Sequence, residues 1–174
     1  MGKEIVPTIL RESEYRLAEL ESLQQTEGVK VIDLHEHQLE ELFEIDNPDL
    51  LQASDFKKKR QTFVAKKQSD NSDVKGNWVY FPWINTLIHT VDEVSYFRLR
   101  TNRNKNLITA TEQDKLHGAK VGITGLSVGN SIATSLAYSG VGTFHLADFD
   151  YLETVNLNRM RAGKHAAQEV HARP

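Results

Sequence analysis

The sequence KVGITGLSVGN occupies residues 120–130, and it decides the fold. Its first five residues, 120–124, have the apolar and β-branched composition of a buried strand. The small residues from Gly125 to Gly129 then predict a tight turn into a helix that continues to Tyr138. The Gly-Val-Gly at 140–142 should end this helix, because glycine readily adopts the left-handed conformation of a C-cap.

A second strand is expected at Thr143–Ala147, and Asp148 follows it directly. The order strand, turn, helix, strand and acidic residue is that of a mononucleotide-binding unit with parallel strands. The small turn lets a ligand approach backbone N–H groups at the helix N-terminus, where the helix dipole favours anions. An acid at the end of the second strand is placed to hold a ribose, and Asp148 follows Gly125 by 23 residues, close to the roughly 20 expected.

The glycine turn departs from the usual G-x-G-x-x-G fingerprint, whose three positions fall on Gly125, Ser127 and Asn130. Ser127 is small enough for a ligand to approach closely, whereas Asn130 adds a side chain where helix and strand should pack tightly. The turn alone is equally compatible with nucleotide binding and with a purely structural role. NAD or FAD would use the same kind of turn.

The segment after the second strand carries a more specific signal. Residues 148–159 read DFDYLETVNLNR and resemble the D-F-D-x-V-x-x-S-N-L-N-R element of the ThiF/MoeB/HesA family, the bacterial relatives of ubiquitin-activating enzymes. The Gly-Val-Gly at 140–142 matches the G-V-G of that family, and Asn102-Arg103 resembles its N-R-Q lead-in. The similarity extends over about residues 100 to 165.

The resemblance implies ATP-dependent adenylation of a carboxylate, often the C-terminal Gly-Gly of a ubiquitin-like or sulfur-carrier protein. The carboxylate attacks the α-phosphate and pyrophosphate leaves. Hydrogen-bond donors, cationic side chains and a metal ion must therefore stabilise the negative charge of the phosphates. ATP and Mg²⁺ are therefore the implied cofactors. NAD or FAD is less favoured, because dinucleotide folds do not need the Asn-Leu-Asn-Arg stretch at 156–159.

The resemblance also implies roles for single residues. Asp148 would bind the ribose hydroxyls, and Asp150 would lie close to the nucleotide or its Mg²⁺. Asn156 and Arg159 would contact the phosphates, and Arg103 would reach the ATP of a partner subunit, so that Arg159 and Arg103 carry the catalytic roles. The alternative is that the residues of 148–159 only form capping hydrogen bonds and ion pairs within a loop. The implied cofactor-binding set is Gly125, Ser127, Gly129, Asn130, Asp148, Asp150, Asn156, Leu157, Asn158 and Arg159.

Three features depart from the family pattern. Val155 stands where the family has serine, and the lysine expected beyond the matched arginine is replaced by His171 and Ala172, with Lys164 too early. A complete family domain would also continue beyond Pro174 with more of the parallel sheet and the substrate groove. We therefore expect an apparently truncated nucleotide domain, and the sequence leaves adenylyltransferase activity undecided.

The sequence as a whole predicts three regions along the chain. Residues 1–72 are expected to form a small α/β domain, because apolar runs at 5–10 and 29–34 each precede a helical pattern and would form a short parallel sheet. Residues 73–117 are expected to be a linker with lead-in helices, and residues 118–174 the N-terminal part of a ThiF-type nucleotide domain. The predicted fold class is α/β, with an incomplete Rossmann-like doubly wound parallel sheet preceded by the small α/β domain.

Composition excludes several classes of protein. The sequence contains no cysteine, which rules out disulfides, thiolate zinc sites and cysteine nucleophiles. No apolar run approaches the roughly 18–20 residues of a membrane helix, and the N-terminus lacks a secretory signal. A net charge of −3 with scattered basic residues does not favour nucleic-acid binding. The simplest expectation is a cytoplasmic protein that binds neither membranes nor nucleic acid.

Other expectations concern partners and alternatives. The strand at 143–147 should leave one edge unpaired, which favours a homo-oligomer, and a ubiquitin-like or sulfur-carrier protein is the other implied partner. His35-Glu36-His37 is expected to cap a helix at the surface, and the aromatic residues of 78–83 to form core. Two alternative functions stay open: a non-catalytic interaction or scaffold protein, and an NAD- or FAD-binding oxidoreductase component.

Overall fold

The computed structural model describes residues 6–12, 14–69, 75–158 and 160 of the 174-residue chain. The chain divides into two compact units, residues 1–100 and residues 101–174. Each unit contains its own sheet. Within the described ranges, no helix has the length and apolar character needed to cross a membrane.

The first unit combines a four-stranded sheet with helices. The strand order is β1-β3-β4-β2, in which β3 runs antiparallel to both of its neighbours and β2 runs parallel to β4. Its described elements, besides two short 3₁₀ turns, are β1 (Thr8–Leu10), α1 (Leu17–Gln24), β2 (Lys30–Asp33), α2 (His35–Asp46), α3 (Phe56–Ser69), β3 (Asn77–Phe81), β4 (Thr86–Thr90) and α4 (Glu93–Thr101).

The predicted parallel pairing of the first two strands is wrong. A hairpin formed by β3 and β4 lies between β1 and β2, which are the two edges of the sheet. The sequence predicts an aromatic strand at 77–83 that stops at Pro82, and it does not predict β4. In the structure Pro82 begins a 3₁₀ turn, and Asn85, with a left-handed φ of 45°, completes the reversal of the chain.

The division between the units also differs from the predicted linker at 73–117. Trp78 of β3 and Leu87 of β4 pack with Tyr15 and Leu20 in a buried cluster of the first unit. Since both strands belong to this core, the first unit extends to residue 100. Trp78 is core as predicted, whereas Trp83 is 46% exposed.

Three aromatic rings form a stack in the first unit. The ring of His89 lies between Trp78 and His35, with centroid separations of 4.2 Å and 4.5 Å. Nδ1 of His89 lies 3.0 Å from the Asp33 carboxylate, and its Nε2 lies 2.7 Å from the carbonyl oxygen of Lys75. His35 is therefore not a simple surface cap, and burial of its ring lowers its pKa, with repulsion from His89 acting in the same direction.

We expect the first unit to lose stability as pH falls below about 6.5, the usual pKa of histidine. The unfolded chain then takes up a proton at His35, whereas the folded protein does so only at lower pH. Urea denaturation of His35→Gln between pH 8 and pH 5 should give a shallower pH dependence than the parent chain. His37→Gln is the control, because this side chain on the same helix is 71% exposed. An equally steep dependence in His35→Gln would contradict the assignment.

The second unit contains the βαβ arrangement predicted from the glycine turn. Strands β5 and β6 are parallel and in register from Lys120 beside Thr143 to Thr124 beside Ala147. This confirms the α/β class with a parallel, Rossmann-like pair. The described elements, besides 3₁₀ turns at Asn102–Asn106 and Thr154–Asn158, are α5 (Ala110–Gly118), β5 (Lys120–Thr124), α6 (Leu126–Ser139) and β6 (Thr143–Ala147).

Helix α6 begins at Leu126, directly after Gly125, and its C-cap is Gly140. Gly140 has a φ of 102°, and a Cβ there would lie 2.2 Å from Nε2 of Gln113. The Gln113 amide donates to the carbonyl of Ser139 at 2.9 Å and accepts from Asn104 at 2.8 Å. The 3₁₀ turn that carries the lead-in residues is thus fixed against the end of α6.

Candidate functional site

The carboxylate of Asp148 joins the glycine turn to the loop after β6. One of its oxygens accepts the backbone N–H of Leu126 at 2.5 Å, and the other accepts the N–H of Asp150 at 2.9 Å. Leu126 is the first residue of α6, so the acid lies at the positive end of that helix. The hydrogen bonds from Asp150 and Leu126 hold the pKa of Asp148 below its usual range, and the group is ionised at neutral pH.

A cavity of about 410 Å³ lies beside this carboxylate. It is formed between the start of α6 and the segment after β6, all within the second unit. Four predicted site residues line it together: Ser127, Asp148, Asp150 and Asn156. The structure therefore brings the glycine turn and the acidic loop together at one cavity.

Asn156 organises the loop on the far side of the cavity. Its side-chain oxygen accepts the backbone N–H of Glu153 at 2.7 Å, and its own N–H donates to the carbonyl of Glu153 at 2.9 Å. These bonds fix the start of the 3₁₀ turn Thr154–Asn158, and Asn156 lines the cavity. The side-chain nitrogen of Asn156 can therefore donate toward a ligand.

The other predicted site residues do not line this cavity. Gly125 starts the turn, Asn130 lies inside α6, and Leu157 and Asn158 lie in the 3₁₀ turn. Arg103 is exposed on the 3₁₀ turn at the start of the unit. The sequence prediction for Arg159, together with Lys164, His171 and Ala172, falls outside the described residues.

The third position of the G-x-G-x-x-G fingerprint, where helix and strand should pack closely, falls on residue 130. In the structure Gly129 makes this close contact instead. A Cβ at Gly129 would lie 2.6 Å from Cγ2 of Ile123, a buried residue of β5. Gly129 is itself buried, whereas Asn130 is only partly so. The close approach of helix and strand is thus met one residue earlier than the simple G-x-G-x-x-G spacing predicts.

Gly129→Ala is expected to lower the free energy of unfolding by about 1–3 kcal/mol, the usual cost of overpacking. The added methyl group must displace Ile123 or separate α6 from β5. Gly122→Ala in β5 is a matched control, since a Cβ there meets no atom within 4 Å, and it should be neutral or slightly stabilising. Equal destabilisation of both variants in chemical denaturation would contradict this packing role.

Some residues at the cavity were not predicted. Tyr151, Leu152 and Met160 add apolar surface, and Glu153 adds a third carboxylate to those of Asp148 and Asp150. No spacing rule marks these residues, because they enter the site through the path of the loop. In the described lining the charged side chains are all acidic. No group of three or more His, Asp or Glu side chains suited to a metal occurs among the residues that the structure describes.

Comparison with known proteins supports the resemblance. The model of the ThiF family matches residues 100–169. The uncharacterized protein MT1398 of Mycobacterium tuberculosis is 45% identical over 87 residues, which are 49% of this chain and 12% of that protein. The chain thus spans only a small part of this relative's length. No solved structure matches the chain.

Proposed function

From the ThiF-type segment at residues 100–169, we propose that the second unit binds ATP with Mg²⁺. We propose further that the protein is related in activity to enzymes that adenylate the C-terminal carboxylate of ubiquitin-like or sulfur-carrier proteins. The observation that carries the proposal is the position of the Asp148 carboxylate, which directly follows β6, accepts a hydrogen bond from the start of α6 and lines the cavity.

The described residues fit the nucleoside part of ATP. A carboxylate has about four acceptor sites, and the backbone bonds of Asp148 use two of them. The remaining acceptor capacity suits the two ribose hydroxyls. Tyr151, Leu152 and Met160 supply surface on which a base could pack.

The phosphate part requires cations. Asp148, Asp150 and Glu153 make the described lining acidic, so a bare triphosphate would be repelled. Bound Mg²⁺ would neutralise phosphate charge, and we propose Asp150 as its protein ligand. The Asn156 amide nitrogen and the guanidinium of Arg159 would donate to phosphate oxygens. ATP binding should therefore weaken markedly when EDTA removes Mg²⁺.

A homo-oligomer is part of the proposal. Among the described strands, β6 pairs only with β5, and an unpaired strand edge is a place where a second chain can add a strand. Arg103 is exposed, as an arginine that reaches a partner subunit must be. The carrier protein would present its C-terminal carboxylate to the α-phosphate.

Calorimetric titration of the full chain with ATP, NAD and FAD, each with Mg²⁺, tests the proposed ligand. We expect ATP to bind more tightly than either dinucleotide. Tighter binding of NAD or FAD would instead support an oxidoreductase component. Binding of none of the three would support a scaffold protein and refute the proposal.

Arg159→Ala should weaken the binding of ATP more than that of adenosine. The substitution removes a bidentate phosphate contact, and adenosine has no phosphate with which to form one. Lys164→Ala is the control, since its position does not match the family's lysine, and it should leave both affinities nearly unchanged. If Arg159→Ala weakened the binding of ATP and of adenosine equally, Arg159 would not contact the phosphates.

A further inference from the structure

The first unit contains a cavity of about 360 Å³ that the proposed function does not use. It is lined by Ile9, Val79 and Ile88, which lie directly opposite one another on β1, β3 and β4. Side chains alternate between the two faces of a strand, so the buried cluster of Trp78 and Leu87 lies on the opposite face of the sheet. The volume falls in the range of about 300–1,000 Å³ that is usual for small-molecule sites.

The apolar surface of this cavity is open. The lining residues Ile9, Leu34 and Tyr96 are 37–47% exposed. Val79 and Ile88 are only half-buried, although they lie on the two central strands of the sheet. Among the described residues, the two buried clusters of the unit contain none of these five. A ligand that covered this surface would therefore remove apolar area from water, which is favourable by about 25 cal/mol per Å².

Two buried side-chain amides also line the cavity. Gln38 and Asn77 are each only 8% exposed. Oε1 of Gln38 accepts the N–H of Val91 at 2.9 Å and the hydroxyl of Thr90 at 2.7 Å. Oδ1 of Asn77 accepts the N–H of Glu12 at 2.9 Å. A backbone N–H can only donate, so these bonds fix which end of each amide is the oxygen.

The nitrogen ends of the two amides are left for a ligand. Among the described residues, neither Nε2 of Gln38 nor Nδ2 of Asn77 has a hydrogen-bond partner. Neither atom is enclosed, since Nε of Arg60 is the enclosed side-chain nitrogen without a partner in the described chain. Both residues are otherwise buried and line this cavity, so their amino groups are accessible from it. Each amino group can donate to an acceptor oxygen.

The charges at the cavity cancel. In the described lining the charged side chains are Arg11 and Glu93, which form an ion pair at 3.6 Å. A bound ion would lose hydration without meeting an unpaired charge of opposite sign, and that loss is costly in apolar surroundings. A neutral acceptor loses less, because the amide N–H groups replace its hydrogen bonds to water. The site therefore favours an uncharged ligand.

We propose that this cavity binds an uncharged small molecule with an apolar body of about two fused rings and a carbonyl oxygen. The body packs against Ile9, Val79 and Ile88, and the oxygen accepts a hydrogen bond from the amino group of Gln38 or Asn77. Aryl ketones, esters and amides have this combination. Burial of the body supplies most of the affinity, and the amides orient the ligand.

Titration of the full chain with 1-acetylnaphthalene, followed by ¹H–¹⁵N NMR, tests the proposal. The side-chain amino signals of Gln38 or Asn77 should shift and saturate. The ketone should bind at least about tenfold more tightly than 1-naphthoate and 1-naphthylmethylamine, which carry a negative and a positive charge on the same rings, and than acetone, which lacks the apolar body. Tighter binding of either ion, or no shift at both amino groups, would overturn the proposal.

Two variants identify the donor. Gln38→Glu and Asn77→Asp keep the oxygen that accepts within the protein but replace the amino group with an oxygen. At pH 8 at least one of them should bind 1-acetylnaphthalene about fivefold more weakly. Gln61→Glu on α3 is the matched control, since this residue is exposed and does not line the cavity. Circular dichroism shows which variants are folded, and the amino signals of the parent chain decide the matter if one is not. Unchanged affinity in both folded variants, or an equal loss in Gln61→Glu, would refute the assignment.

Discussion

Asp148→Ala is expected to bind Mg·ATP at least about tenfold more weakly than the parent chain, the effect of losing a hydrogen bond to a charged group. The substitution acts in two ways. It removes the proposed acceptor for the ribose hydroxyls, and it releases the N–H groups of Leu126 and Asp150 that the carboxylate now binds. Isothermal titration calorimetry measures the loss directly.

Two further variants separate these effects. Asp148→Asn keeps one acceptor oxygen but loses the charge, so its affinity should lie between those of the parent chain and Asp148→Ala. Asp114→Ala removes an exposed carboxylate from α5, away from the cavity, and should leave ATP affinity unchanged. If Asp148→Ala bound Mg·ATP as tightly as the parent chain, Asp148 would not be part of the ATP site.

Leu87→Ala should lower the free energy of unfolding of the first unit by about 2–5 kcal/mol. Leu87 is fully buried in β4 and packs in the cluster that contains Tyr15, Leu20 and Trp78. The substitution leaves a cavity at the centre of a sheet that its neighbouring strands cannot easily fill. Urea denaturation followed by tryptophan fluorescence reports the loss, since Trp78 lies in the same cluster.

Val31→Ala provides the matched control. Val31 lies directly beside Leu87 on the adjacent strand β2 but is 45% exposed. Its truncation should cost less than about 1 kcal/mol, within the range of strand propensities. Similar losses for the two variants would show that the core of this unit does not centre on Leu87.

The second unit was predictable because its sequence signals are local. A strand, a small-residue turn, a helix with a glycine C-cap and a second strand follow one another without interruption, and each element fixes the next. The structure has these elements at Lys120–Thr124, Leu126–Ser139 and Thr143–Ala147. The convergence of Ser127, Asp148 and Asn156 follows from this order, since the carboxyl ends of parallel strands meet at one edge.

The first unit was less predictable because its sheet depends on long-range pairing. The hairpin of β3 and β4 inserts between strands that come much earlier in the sequence. Neither periodicity nor composition encodes which edge a strand joins. Asn85, whose left-handed conformation completes the hairpin turn, was the local signal available in the sequence.

Some single residues of the candidate site were also not predictable from the sequence. The fingerprint spacing pointed to position 130, but Gly129 makes the close contact with Ile123, because the rotation of α6 is set by its packing. Glu153, Tyr151 and Met160 reach the cavity through the path of a loop. Motif spacing cannot describe that path.

Backbone amide NMR of the full chain during titration with Mg·ATP tests the central claim most directly. We expect saturable shifts concentrated at Leu126, Ser127, Asp150 and Asn156, the residues at the cavity of the second unit, with smaller shifts under the same concentration of Mg·NAD. Absence of shifts at these amides, or larger shifts there with NAD than with ATP, would contradict the proposal that this site binds ATP.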